Sequence, residues 1–189
     1  TQTALLAARA AARPRAWAEG IGPNPPVVVY GEHAHYAVTR AVGALGLGVR
    51  SAVRVPSRDH RMDVDALREA LDRLAADGRD VMAVVATAGS TATGSFDDLE
   101  AIGALCDARG TWLHVDGAHG ASALLSDRHR HRVAGIGRAQ SIVWDPHKMM
   151  LLPLAAGALL VRDERRLDVA FAQQAPYLFH GAGPTERRW

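Results

Sequence analysis

Two groups in this sequence could do chemistry together: Lys148 in the stretch WDPHKMM, and Asp116 in HVDGAHG, thirty-two positions earlier. Lys148 is the only lysine of the chain; the other 21 of the 22 Lys and Arg residues are arginine. A primary amine can lose a proton and attack a carbonyl, and a guanidinium cannot. A chain that writes arginine everywhere else has reason to keep one lysine where arginine would fail. The apolar run Met149 to Leu152 that follows it suggests desolvation, which favours the neutral amine. Asp116 closes an apolar run and is followed by Gly117 and Ala118. A carboxylate beside such small residues can approach a flat ring and keep its nitrogen protonated, or it can simply cap a turn.

Further polar residues follow apolar runs. His33 and His35 come after VVVY, and Ser90 and Thr91 after VMAVVAT. The set His33, His35, His114, Asp116 and His119 also permits a zinc reading, but its spacing is not distinctive. His129 and His131 lie in the run RHRHR and read as a solvated surface.

These residues need a scaffold that brings them to one place. Short apolar strand candidates fall at residues 27–30, 51–56, 81–87, 111–116, 141–145 and 157–163. Helical patterns lie between them, at 4–13, 35–45, 65–78, 99–110 and 164–174, with a further helical region after GAHGAS. Asp63 and Asp65 are N-cap candidates, and Gly78 and Gly110 close helices. This alternation predicts an α/β fold: a mainly parallel sheet with helices on both faces. Ligands of such sheets sit beyond the carboxyl ends of the strands, where all the residues above would gather.

Composition narrows the field. The chain has 189 residues, 48% of them hydrophobic and 5% aromatic, with a formal net charge of +2. Charges alternate in sign without a long basic run, which argues against nucleic-acid binding. No apolar run approaches the roughly 20 residues of a membrane span. The single cysteine, Cys106, cannot form a disulfide within the chain; it reads as a small buried residue and fits a cytoplasmic location.

Four motifs, in order, resemble the pyridoxal-phosphate-dependent group II amino-acid decarboxylases. TQTALLAAR is similar to the end of the family's phosphate loop, EHAHYAVTRAVGALGLG to its ring-stacking histidine segment, and ATAGSTATGSFDDL to its loop before the Asp strand. HVDGAHG with WDPHK is similar to its cofactor aspartate and lysine. The resemblance implies a large domain of the aspartate aminotransferase type, with pyridoxal 5'-phosphate as cofactor and decarboxylation of an L-amino acid as reaction. It makes Lys148 the Schiff-base lysine, places His147 on the phosphate with Thr1 and Thr3, and pairs Asp116 with the pyridine nitrogen. Ala118 would pack near the ring, His35 would stack on it, Thr91 would contact the cofactor and Asp97 would support from behind. Tyr177, in APYLF, would be the proton donor to the α-carbon.

The resemblance also implies a homodimer, and a longer protein. Residues 1–189 would be part of the cofactor-binding large domain, with the start of the phosphate loop and a small C-terminal domain lying beyond the two ends. Two departures are visible: Asp145 stands where the family commonly has Asn, and Gly117 and His119 flank Ala118. VDGA is also similar to cysteine desulfurases and aldolases of the same fold. Those, or an aminotransferase-like reaction, are the alternatives, with a metal-dependent hydrolase or a non-catalytic fragment further off. Substrate choice among acidic, diamino and aromatic amino acids stays open.

Overall fold

The computed structural model describes residues 1–171. Its helices are α1 (Gln2–Ala12), α2 (Ala16–Glu19), α3 (Ala37–Ala44), α4 (Val64–Ala76), α5 (Leu99–Arg109) and α6 (Arg165–Phe171). Its strands are β1 (Val27–Gly31), β2 (Ala52–Val55), β3 (Ser57–Arg58), β4 (Arg61–Met62), β5 (Val81–Thr87), β6 (Trp112–Asp116), β7 (Ser141–Trp144) and β8 (Ala158–Val161). Six of them form one sheet in the order β2-β1-β5-β6-β7-β8, parallel throughout except for β8, which runs antiparallel to β7. The expected strands are present, and so are the expected helices, the one at 164–174 as far as Phe171, the last described residue; α2 was not expected. A small hairpin, β3–β4, was not expected, and the helical region after GAHGAS is three short 3₁₀ turns rather than an α-helix.

Strand alternation builds the two sides of the core. Val27 and Val29, Val84 and Ala86, and Leu113 and Val115 face a layer made by α4 and α5. Val28, Ala83, Val85 and Trp112 face α1, α3 and α6. Helix α4 shows why the local sequence obeys: Leu67, Ala70, Leu71 and Leu74 recur at helical spacing and are its buried residues. Each fully buried leucine contributes about 2 kcal/mol of transfer free energy. Asp63 caps this helix, accepting from the N–H groups of Asp65 and Ala66, while Asp65 sits in the first turn. Cys106 is buried in the α4–α5 layer, and burial pushes its thiol up to about 12.

The sheet order has one functional consequence. From β1 the chain passes to β2 on one side, then returns across β1 to build β5, β6 and β7 on the other. The crevice at the carboxyl ends of β1 and β5 is therefore the switch point where doubly wound sheets bind ligands.

Candidate active site

The loops after β1, β5, β6 and β7 meet along this carboxyl rim. Ser90 Oγ donates to His33 O at 3.2 Å, tying the loop after β5 to the loop after β1. Gly120 N donates to Ala88 O at 3.0 Å, and Asp145 N to Ala118 O at 3.0 Å. These link the loop after β6 to its neighbours on either side. Contact this close needs glycine. A Cβ on Gly120 would fall 2.5 Å from Ala88 O, and Gly89, at φ +82°, has the Gly120 backbone against it.

Asp116 is the last residue of β6 and is buried, at 8% exposure. Its Oδ1 accepts the Ala118 N–H at 3.3 Å. Alternation puts its side chain on the face of Trp112 and His114, towards α1 and α3. Thr87 is its register partner on β5. Gly117 is needed for packing, since a Cβ there would lie 2.7 Å from Ala121 Cβ.

Lys148 lies in the turn after β7 and is half-exposed. Its Nζ sits 3.0 Å from Asp145 Oδ2. The apolar run after it does not cover the amine: Met149, Met150, Leu151 and Leu152 are themselves exposed. A carboxylate, not an apolar pocket, is the neighbour of this lysine. His147 donates from Nδ1 to Ala156 O at 2.6 Å, which fixes its ring.

Thr1 begins the turn that leads into α1, and its hydroxyl caps nothing. Asp116 and Asp145 lie within electrostatic reach of the Thr1 nitrogen, so the N-terminus of α1 opens onto the same space. Such a helix end presents free N–H groups and a positive dipole to an anion. Thr3 is exposed in the first turn.

His35 is exposed at the start of α3; its Nδ1 accepts the Ala37 N–H at 3.2 Å, and its ring lies 4.2 Å from that of Tyr36. Thr91 is exposed on the loop after β5, beside buried Ser90. Asp97 is buried behind the rim and accepts the N–H groups of Met62 and Thr87, each at 2.7 Å. Burial raises its carboxyl above the usual range, against the pull of those two bonds. Tyr177 lies outside the described residues.

Among the described residues four buried side-chain polar atoms lack a protein partner, and two of them, Thr87 Oγ1 and His114 Nε2, lie on the Asp116 face. His114 is fully buried, and burial drives its pKa down to about 3, so it is neutral. Its Nδ1 meets Ser141 Oγ at 2.9 Å, and that hydroxyl also accepts from Trp112 Nε1 at 2.8 Å. Neither Thr87 nor His114 was singled out as a cofactor contact from sequence. The available signal for Thr87 was its place as last residue of β5, one strand from Asp116. His114 entered the sequence reading only through the rival zinc set, which its spacing did not favour. Among the described residues no group of three or more His, Cys, Asp or Glu is placed to hold a metal ion.

The donor set suits pyridoxal phosphate. It offers an amine, a buried carboxylate with orphaned polar atoms on the same face, a helix N-terminus for a phosphate, and exposed rim histidine and threonine.

Comparison with known proteins agrees. Residues 1–186 match the family model described as the pyridoxal-dependent decarboxylase conserved domain. The chain is 38% identical over 184 residues to a glutamate decarboxylase-like protein of Gibberella zeae, covering 97% of this chain and 35% of that protein. It is 42% identical over 164 residues to cysteine sulfinic acid decarboxylase of Rattus norvegicus, covering 85% of this chain and 33% of that one. The crystal structure of mouse CSAD superposes with a TM-score of 0.88 at 36% identity, over 92% of this chain and 37% of that chain. The chain thus spans about a third of the length of the relatives it matches. With sequence, sheet and rim in agreement, the chain belongs to the pyridoxal-dependent decarboxylase family.

Proposed function

We propose that this chain is the cofactor-binding part of an enzyme that decarboxylates an acidic L-amino acid with pyridoxal phosphate. The observation that carries the reading is the place of the only lysine. Lys148 follows β7 directly, beside the strand that ends in Asp116, on the rim where the N-terminus of α1 opens. The acidic class rests on the relatives, which are named for cysteine sulfinic acid and glutamate.

The cofactor supplies an electron-withdrawing ring that accepts the electron pair left when carbon dioxide departs. Lys148 Nζ is the amine that carries the cofactor. Asp116 holds the proton on the ring nitrogen, and burial strengthens that charge pairing. Thr87 Oγ1 and His114 Nε2 lie on the same face to complete the polar lining around that carboxylate. The first-turn N–H groups of α1, with Thr1, Thr3 and His147, would hold the phosphate. His35 at the start of α3, Ala118 after β6 and Thr91 on the loop after β5 are the residues that would hold the ring. Tyr177 would supply the proton to the α-carbon. A homodimer and a cytoplasmic location belong to the same proposal, on the family resemblance and the single cysteine.

The test uses the full-length protein with added pyridoxal phosphate. A visible absorption band, trapped by borohydride on Lys148 and missing in Lys148→Ala, is expected. Carbon dioxide release should then be faster from cysteine sulfinate, glutamate or aspartate than from tryptophan. Folded full-length protein without the band would sink the reading. A band with sulfur release, aldol cleavage or amino transfer in place of carbon dioxide would move the reaction to a desulfurase, an aldolase or an aminotransferase.

A further inference from the structure

Asp145 stands one residue beyond β7, and its surroundings fix its carboxylate. Its N–H donates to Ala118 O at 3.0 Å, tying it to the loop that follows Asp116. Lys148 N–H donates to Asp145 O at 2.9 Å, closing the turn that points the lysine back along the rim. Oδ2 lies 3.0 Å from Lys148 Nζ. On the other side, a Cβ on Gly157 would come within 3.2 Å of Oδ1, so the chain entering β8 packs against the carboxylate. The Asp145 side chain is 20% exposed, the Lys148 side chain 39%.

Asp116 ends β6, and Asp145 directly follows the neighbouring β7. Their partners differ. Asp116 accepts a backbone N–H, whereas Asp145 holds the lysine.

We propose that Asp145 is the positioning residue for Lys148, drawing its ε-ammonium to the carboxyl end of β7 in the cofactor-free protein. This rests on the reading that Lys148 carries the cofactor. An ion pair this exposed adds little to folding, so its contribution lies in where it holds the amine. The carboxylate 3.0 Å away also covers one side of Nζ, so the pair restrains it from meeting reagents indiscriminately. Asparagine keeps the shape of the side chain but cannot hold the charge. Glutamate keeps the charge on a stem one methylene longer.

The test uses the full-length protein freed of cofactor. Wild type, Asp145→Asn and Asp145→Glu are pulsed with an amine-acylating reagent at neutral pH. Acylation of the peptide containing Lys148 is read by mass spectrometry. Lys148 should label about two- to fivefold faster in Asp145→Asn, the range expected for losing an exposed pair, with Asp145→Glu in between. In the same proteins, the half-time for pyridoxal phosphate to become borohydride-trapped on Lys148 should lengthen in Asp145→Asn. Reactivity that rises while capture slows is the mark of a positioning role; a merely structural change moves both the same way. Gly157→Ala crowds the carboxylate without removing it and should move both readouts in the Asp145→Asn direction by a smaller amount, with unfolding midpoints confirming that each variant is folded. Equal labelling and equal capture in folded variants would overturn the proposal. Borohydride trapping at some other residue in the wild type would sink the role of Lys148 instead, and the labelling rates would still decide whether Asp145 holds it.

Discussion

Thr87 and Asp116 are register partners across β5 and β6, at the last rung before both strands run into the rim. The Thr87 N–H is held from behind by Asp97 Oδ2, and its hydroxyl is buried without a protein partner. A buried hydroxyl left unpaired costs free energy. Thr87→Val should therefore stabilise the cofactor-free protein by about 1 kcal/mol while weakening its hold on pyridoxal phosphate. Urea unfolding without cofactor, beside a cofactor titration, checks both halves. A destabilised variant would mean that the hydroxyl already has a partner.

Asp97 joins the hairpin to the sheet, since its two oxygens bind N–H groups on β4 and β5. Asp97→Asn turns one acceptor into a donor facing an N–H, and should cost about 2 to 3 kcal/mol. Its pH dependence has a definite sign. Burial raises the carboxyl in the folded protein above the 3.8 of a free side chain, so the folded state binds this proton more tightly than the unfolded state. Its contribution to stability is full below the unfolded value and is lost as pH rises through the folded one. Unfolding free energies followed upward from about pH 4 should show this decline in wild type and lack it in Asp97→Asn.

Lys148→Arg keeps the positive charge and the ion pair with Asp145, but not the amine chemistry. Activity of the full-length protein should fall at least about a thousandfold, and the visible band should vanish. Asp116→Asn should keep the band, because Lys148 is intact, and lose about a hundredfold or more in turnover. Spectra and carbon dioxide release from the same preparations separate the two roles.

Tyr177→Phe removes the hydroxyl assigned to proton donation and keeps the aromatic body. Carbon dioxide release should continue while the product shifts from the amine to side products. Product analysis by mass spectrometry checks this; an unchanged product would make Tyr177 an aromatic anchor and nothing more.

Much of this protein was legible locally. Continuous apolar runs such as VMAVVAT marked the buried strands, because a strand covered on both faces needs no polar alternation. Asp63 and Gly110 marked helix ends, because a cap acts on its own turn. A lone lysine among arginines pointed to amine chemistry by residue type alone. Tertiary structure decided which side chains share a space. Ser90 rather than Thr91 turns inward to bind the loop after β1. His114, which entered only through a rival zinc set, is a buried neutral ring whose partner Ser141 also binds Trp112. The run after Lys148, which suggested an apolar cover, leaves the amine beside Asp145. The division has a physical cause. Periodicity, capping and chemical type act over a few residues and are written in the chain's order. The partners of a rim side chain are set by register and crossover between strands that lie tens of residues apart, and those exist only once the sheet has formed.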